Sequence, residues 1–537
     1  MINKINTIVF WLLIFFVIYC ALVVGVSWDT FFHIDIGEKR LKYLFSLGRN
    51  EYSMSHWAHQ YYPGFFDTIS AFITKMFPEK YEIETLNIVR SIFSISAIFG
   101  ISKISRELFN KEIGKIVFVL CFFNPIFFGH MAINPKDTII VFSNVWSTYL
   151  ILKYLKNQDY NEKRNQYIIL LGLSVGLGLG VRVAFIGTLL PILLFAIVDI
   201  FFIKKITHQN FSYKKLIVDI IKVLTIGYFL MISCWPETHE NIFILPYKFV
   251  AESFTDILGI SSSLLSGNFY LTSETPKNYI FINLFYKTPE FILFCYLLFI
   301  YIFFTNKKFF NTNFKFFNSK VILILLIILF PNILLLFTPY RINDGLRLFL
   351  YLIPYICIIP ALSIYYLIKC YKNYFSKITL AIIVFSSVYY VLIFFSLTPY
   401  QYTYLNIFNG DFSKSYNKFE NDYWTVSIKE LAFKIAKKKE LTNSSELRLA
   451  FCGVAEKNAK FYLNKIDNFK YKKVNWINED FDYIIMTNRV IHPTNIEDKT
   501  NREIKKSLTT CFAQFKGIDI ISIKRNGLLL STLRKAE

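Results

Sequence analysis

Acidic and basic side chains gather where this chain leaves its long apolar runs. The stretch SWDTFFHIDIGEKR sets Asp29, His33, Asp35 and Glu38 directly after an apolar run at 8–27. A carboxylate fixed there, half out of water, has its pKa raised and is suited to general-base work. The plain alternative is that these acids solvate a helix end. A second group lies in MAINPKDTII, where Asn134, Pro135, Lys136 and Asp137 sit at a turn back into apolar sequence. Asp137 and Thr138 fit an N-cap there, and Lys136 beside a helix N-terminus also suits an anion such as phosphate. A third group is Arg182 in GLGVRVAF, Lys287 in YKTPEF, and Arg341, Asp344 and Arg347 in PYRINDGLRLFLYLIP. Arg182 either snorkels to a headgroup or faces a polar cavity. Arg341 and Arg347 either anchor their loop on Asp344 or hold a lipid phosphate in a forked geometry. Charges this close to a bilayer are costly, so their gathering points to chemistry between a phosphate and an acceptor.

The elements that must position these residues are membrane helices. Of 537 residues, 54% are hydrophobic and 18% charged, where a soluble domain carries about 25% charge. The first apolar run, 8–27, is too long for a cleaved signal core and reads as a retained span. Further spans are expected at 87–102, 115–131, 138–155, 167–181, 184–203, 216–233, 286–304, 320–338, 346–366 and 379–397, making about eleven. Lysine and arginine collect in alternate loops, at 103–115, 153–164, 204–215, 307–320 and 369–377. That bias predicts a cytoplasmic N-terminus and an outer C-terminus.

Three outer segments follow: 28–86 with amphipathic stretches at 35–48 and 63–77, then 235–285, and a terminal domain at 398–537. In the last, LRLAFCGV and DYIIMTN read as strands around a helix at EKNAKFYLNK, and IDIISIKRNGLLLSTLR as a hairpin turning at Asn526-Gly527. The expected architecture is an all-α polytopic membrane domain at 1–397 with a small C-terminal α/β domain.

The net charge of +21 sits in short clusters between apolar runs, which fits loops facing anionic lipid and not nucleic acid. The eight cysteines form no CxxC pair or Cys/His cluster, so no structural zinc or iron–sulfur site is expected. Cys452 and Cys511, alone in the tail, are either bridged or buried free thiols.

The order of elements, together with Asp29 before HIDIGEKRL, NPKDT at 134–138, KTP at 287–289, NDGLRLFLYLIP at 343–354 and PYQYTYLN leading to NDYW at 421–424, resembles the GT-C membrane glycosyltransferases. The likeness is to their protein O-mannosyltransferase and aminoarabinose-transferase group, over most of residues 1–425. It implies sugar transfer from a polyprenyl-phosphate donor to a protein, lipid or glycan acceptor on the outer face, with inversion and no cofactor beyond the lipid-linked substrate. Metal dependence stays open. Asp29 then stands as the first-loop catalytic acid. Thr30 takes the second place of the family's acidic pair, which leaves Asp35 or Glu38 as its substitute. His33, Glu38, Lys136, Asp137, Arg182, Lys287, Arg341, Asp344 and Arg347 become substrate-binding candidates.

A flippase of lipid-linked sugars is the rival reading. It calls for internal repeats and midplane polar sites, whereas here no repeat is seen and the polar groups gather on one face. The Lys/Asn/Ile/Phe/Tyr-rich usage suggests an AT-rich bacterial genome, hence a bacterial inner membrane.

Overall fold

The computed structural model describes residues 2–49, 52, 57–204, 206–207, 211–253, 262–337, 342–442, 446–492 and 501–536. The chain begins with α1 (Ile2–Val23), then α2 (Thr30–Phe45) and α3 (Phe65–Thr74), which coincide with the two amphipathic stretches of the first outer segment. Next come α4 (Glu82–Leu108), α5 (Lys111–Phe122), α6 (Pro125–His130), α7 (Asp137–Asn157), α8 (Asn161–Val181), α9 (Phe185–Val198) and α10 (Tyr213–Ser233).

Local chemistry sets several of these boundaries. The side chains of Asn110, Asn124 and Ser212 each accept a hydrogen bond from an N–H of the first turn of α5, α6 and α10. Asn124-Pro125 therefore divides the expected span 115–131 into two helices, with the proline at the first position of the second. The glycine-rich run at 167–181 is a packing seam. A Cβ at Gly172 would lie 2.8 Å from Ile226 Cβ, and one at Gly176 would lie 2.9 Å from Leu230 Cβ. Glycine at this spacing lets α8 and α10 approach closely where lipid offers no hydrophobic drive to associate.

The second half runs through α11 (Leu245–Ser253), the hairpin β1 (Ser262–Leu265) and β2 (Asn268–Leu271), α12 (Tyr279–Lys287), α13 (Glu290–Thr305), α14 (Lys307–Asn313), α15 (Phe317–Phe337), α16 (Ile353–Ile356), α17 (Ile358–Lys369) and α18 (Tyr374–Ser396). The span expected at 286–304 is corrected: α12 and α13 meet at an angle of 111° across Thr288-Pro289, where proline lacks the N–H to continue the ladder. Each expected run falls on helix over most of its described length. Among the described residues seven helices are long and apolar enough to span alone, or eight with the bent pair counted as one. The remaining runs are shorter, broken, or carry polar first turns. The chain is a multi-pass membrane protein.

After α18, an irregular segment leads to α19 (Ile428–Ala436) and α20 (Lys439–Thr442). It buries Tyr400, Tyr402, Tyr423 and Trp424. β3 (Leu447–Cys452), α21 (Glu456–Leu463), β4 (Tyr471–Lys473), β5 (Tyr483–Thr487), the short pair β6 (Val490–Ile491) and β7 (Thr509–Thr510), then β8 (Gly517–Arg525) and β9 (Leu528–Ala536) complete the chain. The sheet order is β4-β3-β5-β9-β8. β3 is parallel to β4 and β5, while β9 is antiparallel to β5 and β8. The hairpin turns at Asn526-Gly527, and both residues have positive φ. Cys452 and Cys511 are bonded, with Cα atoms 5.8 Å apart, which decides between the two alternatives left by the sequence.

The helix α21 is hydrogen-bonded to the end of the first apolar run, just after α1. Asn458 Nδ2 donates to Ser27 O at 2.8 Å, and Val26 N donates to Tyr462 Oη at 2.8 Å. Side chains of α19, α21 and the sheet share one apolar cluster with Ala21, Val24 and Ile133 from the helical part.

Candidate functional site

Asp29 lies at the N-cap of α2, in the short link between α1 and the first interfacial helix. Its carboxylate is 3.3 Å from Lys136 Nζ and 3.9 Å from Arg347 Nη2, and its side chain stays 21% exposed. Burial opposes ionisation, but Lys136 and Arg347 outweigh it and hold the carboxyl well below the usual range, which corrects the raised pKa expected from its half-buried place in the sequence. Lys136 also stands over the Tyr62 ring at 4.7 Å, and this cation pulls the Tyr62 phenol down from its ordinary pKa.

The turn that delivers Lys136 is built by Asn134. Its Oδ1 accepts from the N–H groups of Lys136 and Asp137 at 3.1 and 2.9 Å, and its Nδ2 donates to Asp137 Oδ2 at 3.0 Å. Asn134 therefore does the capping expected of Asp137 and Thr138, which is a correction. Asp137 is left to face Arg182, whose Nη1 is 3.9 Å from Asp137 Oδ1. Arg182 thus turns toward the polar site.

Asp344 joins the late loop to the same centre. One carboxylate oxygen accepts from Arg347 Nη1 at 2.8 Å, and the other accepts from Arg489 Nη2 at 3.3 Å. The Arg347 guanidinium stacks over Trp424 at 5.0 Å, and that of Arg489 over Trp28 at 4.6 Å. Arg489 also donates to Tyr423 O. Lys287, buried at the end of α12, stands over the Tyr423 ring at 5.8 Å. Glu420 is buried, and its Oε1 accepts from Val490 N at 3.0 Å. Burial pushes its pKa up to about 7; Arg489 opposes the rise and Asp344 adds to it. The arrangement sets five cations, Lys136, Arg182, Lys287, Arg347 and Arg489, around Asp29, Asp137, Asp344 and Glu420.

The other expected residues fall elsewhere. Asp35 is 33% exposed and pairs with Lys39 at 3.6 Å and His59 at 3.7 Å. Glu38 pairs with the exposed Lys75 at 2.6 Å. The helical period explains both: six and nine residues beyond Asp29 lie about 240° and 180° around the axis. His33, about 40° around by the same count, is buried on the Asp29 side, with Nδ1 2.9 Å from Asp67 Oδ2. Arg341 lies outside the described residues. Among those described, no group of three His, Cys, Asp or Glu side chains is placed to hold a metal ion.

Sequence reasoning missed Arg489, Glu420, Tyr62 and Trp424. The one available signal for Arg489 was its place just past DYIIMTN, at the carboxyl end of a strand in a parallel unit, where α/β sheets bind ligands.

Compared with known proteins, residues 63–226 match the family model for dolichyl-phosphate-mannose-protein mannosyltransferase. ArnT from Cupriavidus metallidurans in the apo state superposes with a TM-score of 0.51 at 11% identity, over 99% of this chain and 98% of that one. ArnT from the same organism bound to undecaprenyl phosphate gives 0.50 at 11% identity, over 98% and 97%. The chain has the GT-C fold. No curated protein matches it in sequence. The GT-C likeness thus extends over the whole length in structure, while the family match in sequence runs only from residue 63, late in the first outer segment, into α10.

Proposed function

We propose that this chain is a glycosyltransferase that moves a sugar from a polyprenyl-phosphate donor to an acceptor on the outer face of the membrane, with Asp29 as base. One observation carries the reading: the Asp29 carboxylate stands 3.3 Å from Lys136 and 3.9 Å from Arg347, with Arg182, Lys287 and Arg489 gathered around the same acidic cluster. ArnT solved with undecaprenyl phosphate supports the lipid-phosphate class of donor. The acceptor is a hydroxyl or amine of a protein, lipid or glycan.

In this mechanism the acceptor atom attacks the anomeric carbon and its proton passes to the Asp29 carboxylate. The bond to the phosphate oxygen breaks on the opposite face, its electron pair leaves with the lipid phosphate, and the configuration inverts. Lys136, Arg347, Arg182 and Lys287 offset the negative charge that grows on the departing phosphate.

The resting ion pairs give the base a built-in order. Lys136 and Arg347 hold Asp29 in a weakly basic state until an arriving phosphate draws them away. Asp29 then becomes a stronger base only when donor is bound, so proton abstraction waits on the donor. His33 and Asp67 support the Asp29 side of α2, and Asp35 and Glu38 serve its solvated face.

The same reading divides the chain at 397/398 into a transmembrane catalytic domain and an outer α/β domain, and places it in a bacterial inner membrane. The Cys452–Cys511 bond supports an oxidising outer compartment for the tail. The test is transfer of radiolabel from a panel of polyprenyl-phosphate sugars, in membranes carrying wild type or Asp29→Asn. Label leaving the lipid with wild type alone is expected. Equal transfer by Asp29→Asn removes the base assignment, and no transfer by wild type from any donor moves the reading to a flippase.

A further inference from the structure

We infer that Arg489, contributed by the C-terminal domain, is a positioning residue that sets the reach of Arg347 by sharing the Asp344 carboxylate with it. The inference rests on the reading that Arg347 meets the donor phosphate.

Asp344 has two carboxylate oxygens and two arginines to serve. Oδ2 accepts from Arg347 Nη1 at 2.8 Å, and Oδ1 accepts from Arg489 Nη2 at 3.3 Å. The remaining terminal nitrogen of Arg347, Nη2, points to Asp29 Oδ2 at 3.9 Å. A carboxylate facing one guanidinium prefers the forked, two-bond arrangement. Arg489 occupies the oxygen that such a fork would need, so Arg347 is held by one nitrogen and keeps the other free for the Asp29 side.

Arg489 is itself well fixed. Its guanidinium stacks on Trp28, the residue before Asp29, at 4.6 Å, and donates to Tyr423 O. Its carbonyl accepts from Cys511 N at 3.1 Å, and Cys511 is bonded to Cys452. A Cβ at Gly453 would lie 2.9 Å from Arg489 Cβ, so the absent side chain leaves room for the arginine to project from the strand end. Val490, the next residue, is pinned by Glu420. Asp344 is also approached by Lys287, Glu420, Tyr279 and Tyr423. None of these is an arginine able to fork, which makes Arg489 the partner that competes with Arg347. Contact between the outer domain and the bundle thereby becomes part of donor binding.

The experiment is a double-mutant cycle on donor KM and kcat with Arg489→Ala, Arg489→Lys, Arg347→Ala and Arg347→Ala/Arg489→Ala, each checked for a single elution peak. Coupled residues depart from additivity, whereas independent ones add. In the wild-type background Arg489→Ala is expected to raise donor KM about tenfold with little change in kcat. Arg489→Lys, which keeps the charge without the fork, is expected to recover part of that loss. In the Arg347→Ala background the same Arg489→Ala change is expected to cost less than about twofold. An equal factor in both backgrounds, or no change in either, overturns the inference while leaving the glycosyltransferase reading intact. That reading fails separately if wild type transfers no sugar. In that event the same cycle, read as quenching of tryptophan fluorescence by undecaprenyl phosphate, decides the inference by the same criterion.

Discussion

Two buried arginine–carboxylate clusters sit on the same face of this protein and are built for opposite purposes. Arg40, on α2, is fully buried and donates to Glu237 Oε1 at 2.8 Å and to His59 O at 3.1 Å, while Tyr52 Oη donates to the same Glu237 oxygen at 3.0 Å. Gly64, with φ of +69°, presses on it so closely that a Cβ there would lie 1.9 Å from Arg40 Nη1. At Asp29 the opposite choices are made. Its cations stand at 3.3 and 3.9 Å, longer than the 2.8 Å between Arg40 and Glu237, and the carboxylate keeps some exposure. One cluster is short, closed and sealed by glycine. The other is long, open and over-supplied with positive charge. Short closed pairs fix backbone segments, here α2 to the second outer segment. Loose pairs beside surplus cations leave charge to meet an incoming anion.

The largest separation between the two should appear on removing their central groups. Asp29→Asn keeps size and polarity but no longer accepts a proton. Loss of a general base costs about 10²–10⁴-fold, so sugar transfer is expected to fall about a thousandfold while thermal unfolding of the purified protein stays within a few degrees. A mutant that unfolds early would show Asp29 to be a structural clamp like Arg40.

Arg40→Ala should behave in reverse. It strands Glu237 as a buried unpaired charge, and breaking a buried pair costs about 3–5 kcal/mol. Exposure of the buried free thiols Cys121, Cys295 and Cys357 to a fluorogenic maleimide on heating reports that loss. The fraction that remains folded is expected to turn over donor at the wild-type rate. A wild-type melting temperature with reduced turnover would reverse the two roles.

Arg347→Ala tests the open cluster with a smaller effect. Its pair with Asp344 is mostly buried, but Asp344 keeps Arg489 as a partner when Arg347 is removed, so the loss of stability should stay below the roughly 3–5 kcal/mol of stranding a buried charge. Donor KM is expected to rise about ten- to a hundredfold, as for loss of a charge-assisted phosphate contact. Unchanged donor kinetics would remove Arg347 from the phosphate site.

What the sequence made legible follows from where each signal lives. Apolar run length located the helices, because a bilayer demands it of each segment alone. Short-range placement marked Asp29, Lys136 and Arg347, which the structure brings together, since each sits near the end of an apolar run, where charge is conspicuous. The break at Asn124-Pro125 and the bend at Thr288-Pro289 were written in capping and proline chemistry, yet an apolar window reads across both. Arg489 was hidden for a different reason. It lies 145 residues from Asp344 and contributes only after the sheet has docked, so its place at a strand end is the sole local mark it carries and does not name its partner. Asp35 and Glu38 misled because proximity in sequence was counted without the helical period, which turns them to the far side of α2 from Asp29.

The finest distinction between the clusters lies in their glutamates. Glu237 has Arg40 at 2.8 Å. Among the described residues Glu420 has no cation within salt-bridge distance; burial and the like charge of Asp344 leave its pKa near neutrality, about 7. An unfolded glutamate titrates near 4.3, so the folded protein binds the extra proton between these values. Its contribution to stability is then fully present below about pH 4 and declines as pH rises through about 7. Asp29 has the opposite sign: its folded pKa is depressed, so its contribution is lost only as pH falls below the ordinary carboxylate range, outside this window. Glu420→Gln retains an oxygen to accept from Val490 N and has nothing to titrate. The melting temperature of wild type relative to Glu420→Gln is therefore expected to fall between pH 5 and pH 8. Parallel curves over that interval would mean that Glu420 is ionised throughout, paired as tightly as Glu237, and that the site has no spare proton-binding acid beside its cations.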